Sequence, residues 1–168
     1  MPVPSDPFTG RPRRIVGIDL GERRIGIAIA DVATRMASPY TTLSRGKTIA
    51  DDIATLSSLA AEQGAEALVV GLPLNMDGSE GPQAARTREW ADAVSAACGL
   101  TLTYRDERLT SERAERRIGP AGRGRSGGPP TGAQREAYRA RVDREAAALI
   151  LQDELDATMY DSSEGRNA

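Results

Sequence analysis

Arg14–Leu20, RIVGIDL, followed by the turn Gly21–Arg24 and then by Ile25–Ala30, IGIAIA, is the stretch on which the fold turns. The first segment is an almost continuous apolar run, which suits a strand buried on both faces better than one at a sheet edge. The second reads as the next strand and Ala37–Leu43 as a third, so the chain opens as an antiparallel meander.

Outward from this meander, strands and helices alternate. Thr48–Gln63 carries Ile49, Ile53, Leu56, Leu59 and Ala60 at helical spacing, with Gly64 as a natural stop. Ala67–Leu72, ALVVGL, reads as a buried strand, and the turn-rich loop after it ends in Pro82, a residue suited to the first turn of a helix running to about Ala97. A strand over Leu100–Arg105 and a short helix over Ser111–Arg117 follow. Gly119–Gly132, GPAGRGRSGGPPTG, is too rich in glycine and proline to pack and reads as a mobile loop. Ala133 to about Leu155 forms a closing helix, followed by a polar tail.

The pattern predicts an α/β fold: a mixed sheet of three antiparallel strands and then two parallel strands, flanked by helices. In such sheets the functional site lies at the carboxyl ends of the central strands. The expected organisation is a flexible tail over residues 1–13, one domain over 14–157 and a polar tail over 158–168. At 168 residues and 39% hydrophobic content the chain has the material for one core rather than two.

The count of histidines is zero, which removes Ser-His-Asp triads, Cys-His pairs, HExxH zinc sites and histidine general bases. Cys98, the single cysteine, excludes an internal disulfide and a thiolate zinc cluster. Residues 1–12 are Pro-rich and polar, and no apolar run is long enough to cross a bilayer, so a cytoplasmic location and no membrane partner are expected. The net charge of -2 hides an uneven distribution: Arg105–Arg144 holds eleven arginines against six acids, whereas Asp153–Ala168 holds five acids and one arginine. Lys47 is the single lysine, so phosphate contacts would fall to arginine.

Three acids call for explanation. Asp19 lies among Ile15, Val16, Gly17, Ile18 and Leu20, where a bare carboxylate is desolvated at a cost of several kcal/mol; a turn-capping role before Gly21 is the structural alternative. Asp143 shares a helical stripe with Ala147 and Ile150 and so faces the apolar side, although Arg139, one turn earlier, offers an ordinary ion pair. Asp106 and Glu107 end a strand, and alternation does not choose between them. Carboxylates acting without His or Cys are hard ligands suited to Mg²⁺ or Mn²⁺, held together with waters and substrate phosphates. Such a site hydrolyses phosphodiester bonds without any histidine.

Four blocks, GIDLGERRIGIAIAD (Gly17–Asp31), VVGLPLNMDGSEGP (Val69–Pro82), DERLTS (Asp106–Ser111) and VDREAAALILQDEL (Val142–Leu155), resemble the YqgF family, also called RuvX, of ribonuclease H-like nucleases. The resemblance covers nearly all of Arg14–Leu155. It implies a ribonuclease H-like sheet with Asp19, Glu107 and Asp143 as catalytic metal ligands, and so selects Glu107 over Asp106. It further implies maturation of the 5′ end of pre-16S ribosomal RNA, with four-way DNA junctions as the alternative substrate suggested by similarity to the RuvC resolvases. Family members are commonly Lys-rich before VDxxAA; here Arg135, Arg139 and Arg141 stand there, which leaves the grip on substrate open.

Arg23, Arg24 and Arg108 flank the acid-bearing strand ends, and with Asn75, Arg139 and Arg141 they are the expected nucleic-acid contacts. Surface solubility is the alternative for the arginines, and turn formation for Asn75, Asp77 and Ser79. With 4% aromatic residues, backbone and shape recognition of structured RNA or branched DNA is expected over base stacking. A monomer or weak homodimer is expected. Two other readings are a nucleic-acid-binding module with a relict site, and an actin-like ATPase phosphate loop in GIDLGERRIG, for which the chain is too short.

Overall fold

The structure, a computed structural model, describes residues 13–164, with side chains in the last helix as far as residue 158. Residues 1–12 of the expected N-terminal tail and residues 165–168 of the C-terminal one lie outside the described residues. The elements are β1 (Arg14–Leu20), β2 (Arg24–Asp31), β3 (Met36–Ser44), α1 (Ile49–Gln63), β4 (Ala67–Leu72), α2 (Pro82–Cys98), β5 (Thr101–Asp106), α3 (Thr110–Ile118) and α4 (Gly132–Glu164). They form one five-stranded sheet of order β3-β2-β1-β4-β5. The meander β1-β2-β3 is antiparallel, and β4 and β5 add in parallel to β1. This is the mixed α/β sheet that the sequence predicts.

Alternation along β1 and β2 sorts large from small side chains. Val16, Ile18, Ile25, Ile27, Leu68 and Val70 point to one face and pack against Leu56 and Leu59 of α1 and Trp90 and Val94 of α2. The opposite face carries Ile15, Ala28, Ala30, Ala67 and Val69, covered by Ala147, Ile150, Leu151 and Leu155 of α4. Small residues on both partners let α4 lie unusually near the strands.

Three strand glycines set this approach. A Cβ on Gly17 would lie 2.7 Å from Leu151 Cβ and 2.9 Å from the Ala147 carbonyl oxygen. One on Gly26 would overlap the Asp143 carbonyl group, and one on Gly71 would lie 2.5 Å from Ile150 Cδ1 and overlap Glu107 Oε2. Polar contacts fix the same docking: Thr42 Oγ1 donates to the Ala140 carbonyl at 2.5 Å. Farther along, the Ala37 amide donates to Gln152 Oε1 at 2.9 Å, giving α4 a hold on β3.

The helix after the Gly/Pro-rich loop is longer than expected. It runs to Glu164 rather than ending near Leu155, since residues 156–164 contain neither glycine nor proline to stop it. The loop itself has no helix or strand, but it is tied to its surroundings: Tyr138 donates its hydroxyl to the Gly119 carbonyl at 2.9 Å. Thr131 and Gln134 cap each other reciprocally at the start of α4.

If close approach at Gly26 sets the position of α4, Gly26→Ala will destabilise the protein by about 3 kcal/mol, the upper end of ordinary overpacking. Gly128→Ala, where an added Cβ meets nothing within 4 Å, serves as the control and will be near neutral. Urea denaturation of the two variants measures the difference; equal midpoints would show that α4 accommodates a methyl group at Gly26.

Candidate active site

Asp19 sits at the carboxyl end of β1, directly opposite Gly26 in the β1–β2 register. Because Gly26 has no side chain, the backbone of α4 at Asp143 settles over that point and carries the Asp143 side chain to the strand end. Glu107 arrives from the other side. Its amide donates to the Leu72 carbonyl at 3.2 Å and its carbonyl accepts from the Thr110 amide at 3.0 Å, so the chain leaves β5 in a turn. That turn directs the Glu107 side chain against Gly71 and Asp106 toward water.

The structure thereby separates the two acids that strand parity left equivalent. Asp106 accepts from Arg108 Nε at 2.8 Å and from the Arg108 amide at 2.9 Å, and the Arg108 hydrogen bond holds its pKa below the usual carboxylate value. Glu107 is instead enclosed beside Asp19. Burial, then the Asp19 charge and hydrogen bond, push Glu107 up to about 9. Burial raises Asp19 to about 6, offset in part by the Glu107 hydrogen bond and reinforced by the Asp143 charge. The two carboxyl groups therefore share a proton near neutral pH.

Asp143 is near enough for its charge to act on Asp19, but its Oδ2 accepts from Arg24 Nε at 2.5 Å. Arg24 Nη1 also donates to Glu136 Oε1 at 2.8 Å. Among the described residues, no three His, Cys, Asp or Glu side chains are gathered closely enough to hold a metal ion. Asp143 is paired with the Arg24 guanidinium instead. The site nevertheless fits a hard cation, since Glu107 Oε2 is buried without a hydrogen-bond partner and all the candidate donors are carboxylate oxygens.

The remaining expected contacts divide into two groups. Arg24 and Arg108 are engaged within the protein, Arg108 reaching from Nη1 to the Met76 carbonyl at 3.1 Å. Asn75 donates to Ser79 Oγ at 2.9 Å, and Asp77 accepts from both the Ser79 amide and hydroxyl, so all three shape the β4–α2 turn. Arg23, Arg139 and Arg141 are exposed and, among the described residues, have no ion-pair partner. These three are available to phosphates.

The sequence reading missed Asp52. It is 2% exposed and accepts from Arg45 Nε at 2.8 Å, the Gly46 amide at 2.7 Å and Trp90 Nε1 at 2.9 Å. Arg45 in turn donates to the Gly21 carbonyl at 2.9 Å, bracing the turn two residues beyond Asp19. The signal was present, since Asp52 shares a helical stripe with Leu56 and Leu59, as Asp143 does with Ala147 and Ile150. Thr110 was missed as well, and its hydroxyl is buried without a partner.

A family model described as "RuvX: Holliday junction resolvase" matches residues 13–157. The chain belongs to the RuvX family. A relative from Acidiphilium cryptum (strain JF-5) is 42% identical over 146 residues, covering 87% of this chain and 85% of its own. Another, from Anaeromyxobacter dehalogenans (strain 2CP-1 / ATCC BAA-258), is 44% identical over 85% of this chain and 96% of its own. A third, from Synechococcus elongatus, is 45% identical over 84% and 87%. All three carry the name "Putative pre-16S rRNA nuclease". In fold, this RuvX chain is similar to T. thermophilus RuvC solved with a Holliday junction substrate, with a TM-score of 0.51 at 16% identity over 87% of this chain and 96% of that one.

The shared proton has a measurable consequence in the metal-free protein. Folded Asp19 and Glu107 keep protons that the unfolded chain, with ordinary values of 3.8 and 4.5, has already lost. Stability will therefore fall as pH rises through the interval from about 4 to about 9. Melting temperatures recorded in EDTA between pH 5 and 9 will drop in the native protein and drop less in Glu107→Gln; parallel curves would exclude the proton-sharing pair.

Proposed function

We propose that this RuvX-family chain is a divalent-metal-dependent nuclease that hydrolyses phosphodiester bonds in structured RNA, acting in 5′-end maturation of pre-16S rRNA in the bacterial cytoplasm. The observation that carries this reading is the enforced proximity of Asp19 and Glu107, two carboxyl groups in one desolvated place, with Glu107 Oε2 buried and without a hydrogen-bond partner. The name shared by relatives along most of the chain supports the substrate. Residues 14–157 act as a single catalytic domain.

Asp19, Glu107 and Asp143 are the residues that would hold Mg²⁺ or Mn²⁺. When bound, the cation supplies a Lewis acid that makes water a stronger nucleophile and neutralises charge on the phosphate. Glu107 would hold the cation as its carboxylate, the proton passing to solvent, and Asp143 would turn from the Arg24 guanidinium to the site. Arg24, still held by Glu136, would then stand beside the acids with its Nε turned to a phosphate oxygen. Arg23, Arg139 and Arg141 hold the flanking backbone, and arginine's planar fork suits bidentate phosphate contact.

A cleavage assay offering pre-16S rRNA, single-stranded RNA and four-way DNA junctions side by side tests the proposal. Cleavage of the pre-rRNA will require Mg²⁺ or Mn²⁺ and stop in EDTA. Asp19→Asn will reduce the rate at least a thousandfold, roughly the loss of 4 kcal/mol of transition-state stabilisation, while circular dichroism stays native. Cutting confined to junction DNA would move the substrate to DNA, and full activity in Asp19→Asn would remove the carboxylate site from the chemistry.

A further inference from the structure

Two large apolar side chains stand in water on the loops that follow β4 and β5. Met76 is 72% exposed and Leu109 is 55% exposed. They belong to the loops that leave the carboxyl ends of β4 and β5, the ends that carry Gly71 and Glu107. Leu109 also has φ 62, one of two non-glycine residues in the left-handed region among those described. Backbone strain at a non-glycine residue opposes folding, and such outliers concentrate at functional positions.

The loops that carry these side chains are held in place. Arg108, next to Leu109, is clamped by Asp106 and donates from Nη1 to the Met76 carbonyl at 3.1 Å, joining the two loops. The β4–α2 turn is closed on itself by the Asn75 amide to the Ser79 carbonyl and the Gly78 amide to the Asn75 carbonyl. Leu109 does not serve the core from this position: the buried residues of α3 are Thr110 and Ala114.

We infer that Met76 and Leu109 form an apolar rim that receives one unpaired nucleobase of the strand being cut, seating the neighbouring phosphate toward Asp19 and Glu107. The inference rests on the nuclease reading above. Position favours a nucleotide over a protein partner: Leu109 follows Glu107 by two residues, and Arg108 between them ties its loop to that of Met76. A thioether and an isobutyl group offer polarisable contact to the face or edge of any base. The polar groups around them, Asp106, Arg108, Asp77 and Ser79, are engaged with one another and with the backbone. The rim therefore distinguishes unpaired from paired nucleotides rather than one base from another.

Full-length protein carrying Asp19→Asn, which retains the rim, is titrated with single-stranded oligoadenylate containing 2-aminopurine and, separately, with the same strand annealed to its complement. Adding Met76→Ala or Leu109→Gly is expected to weaken single-strand binding about tenfold, the order of losing one partly buried apolar side chain, and to suppress the 2-aminopurine fluorescence change. Duplex affinity should stay the same. Leu109→Gly suits the left-handed backbone, so its melting temperature should equal or exceed that of its parent. Unchanged single-strand affinity, equal losses for both strands, or no RNA binding by the parent would overturn the inference. The nuclease reading fails separately, if the native protein leaves all RNA uncut while the binding contrast persists.

Discussion

The Asp143 carbonyl rests where a side chain at position 26 would stand, and the placement of the whole site descends from that contact. Helix α4 is the cover of one sheet face and also the carrier of an acid. A methyl group at Gly26 or Gly17 would lift it from the strands, loosening the core around Ala147 and Leu151 and withdrawing Asp143 from the end of β1. Because Asp19 and Gly26 are paired across β1 and β2, the vacancy is created at the very point where the acid is needed. Packing and chemistry therefore share one geometric condition.

That condition brings like charges together, and the protein answers in two ways. Between Asp19 and Glu107 the response is protonation, driven by desolvation. At Asp143 it is a guanidinium, and Arg24 is itself tethered to Glu136. Neither arrangement is the most stable use of these positions. Apolar residues of similar size would relieve both the desolvation and the repulsion, so the acids are carried at the expense of stability. The Asp52–Arg45–Trp90 cluster works in the opposite sense: a buried carboxylate with three hydrogen-bond donors stiffens the turn behind Asp19.

Much of this could be read from the residues. RIVGIDL and ALVVGL are runs that suit a strand buried on both faces, and they are the central strand and its parallel neighbour. Gly64 marked the end of α1 as a cap does, and Thr48, where the helical spacing begins, closes a capping box with Asp51. The length of α4 was less legible, because a polar helix end and a polar tail have the same composition. The choice of Glu107 over Asp106 was invisible to strand parity, since the deciding event is a turn outside the strand. Resemblance supplied that choice where alternation could not. Arg24 was read as a phosphate contact because its position flanks the acids; its partner, Asp143, lies 119 residues away, and no local pattern reports such a pairing.

The order of the chain adds a temporal aspect to α4. Asp19 and Glu107 emerge during synthesis well before Asp143, and the groove prepared by Gly17 and Gly26 stays open until the last long helix is available to fill it. A nascent chain folded through β5 thus has an exposed small-residue face and an incomplete set of acids. Assembly of the carboxylates coincides with closure of the second core, so on the proposed reading competence for chemistry is tied to completion of folding.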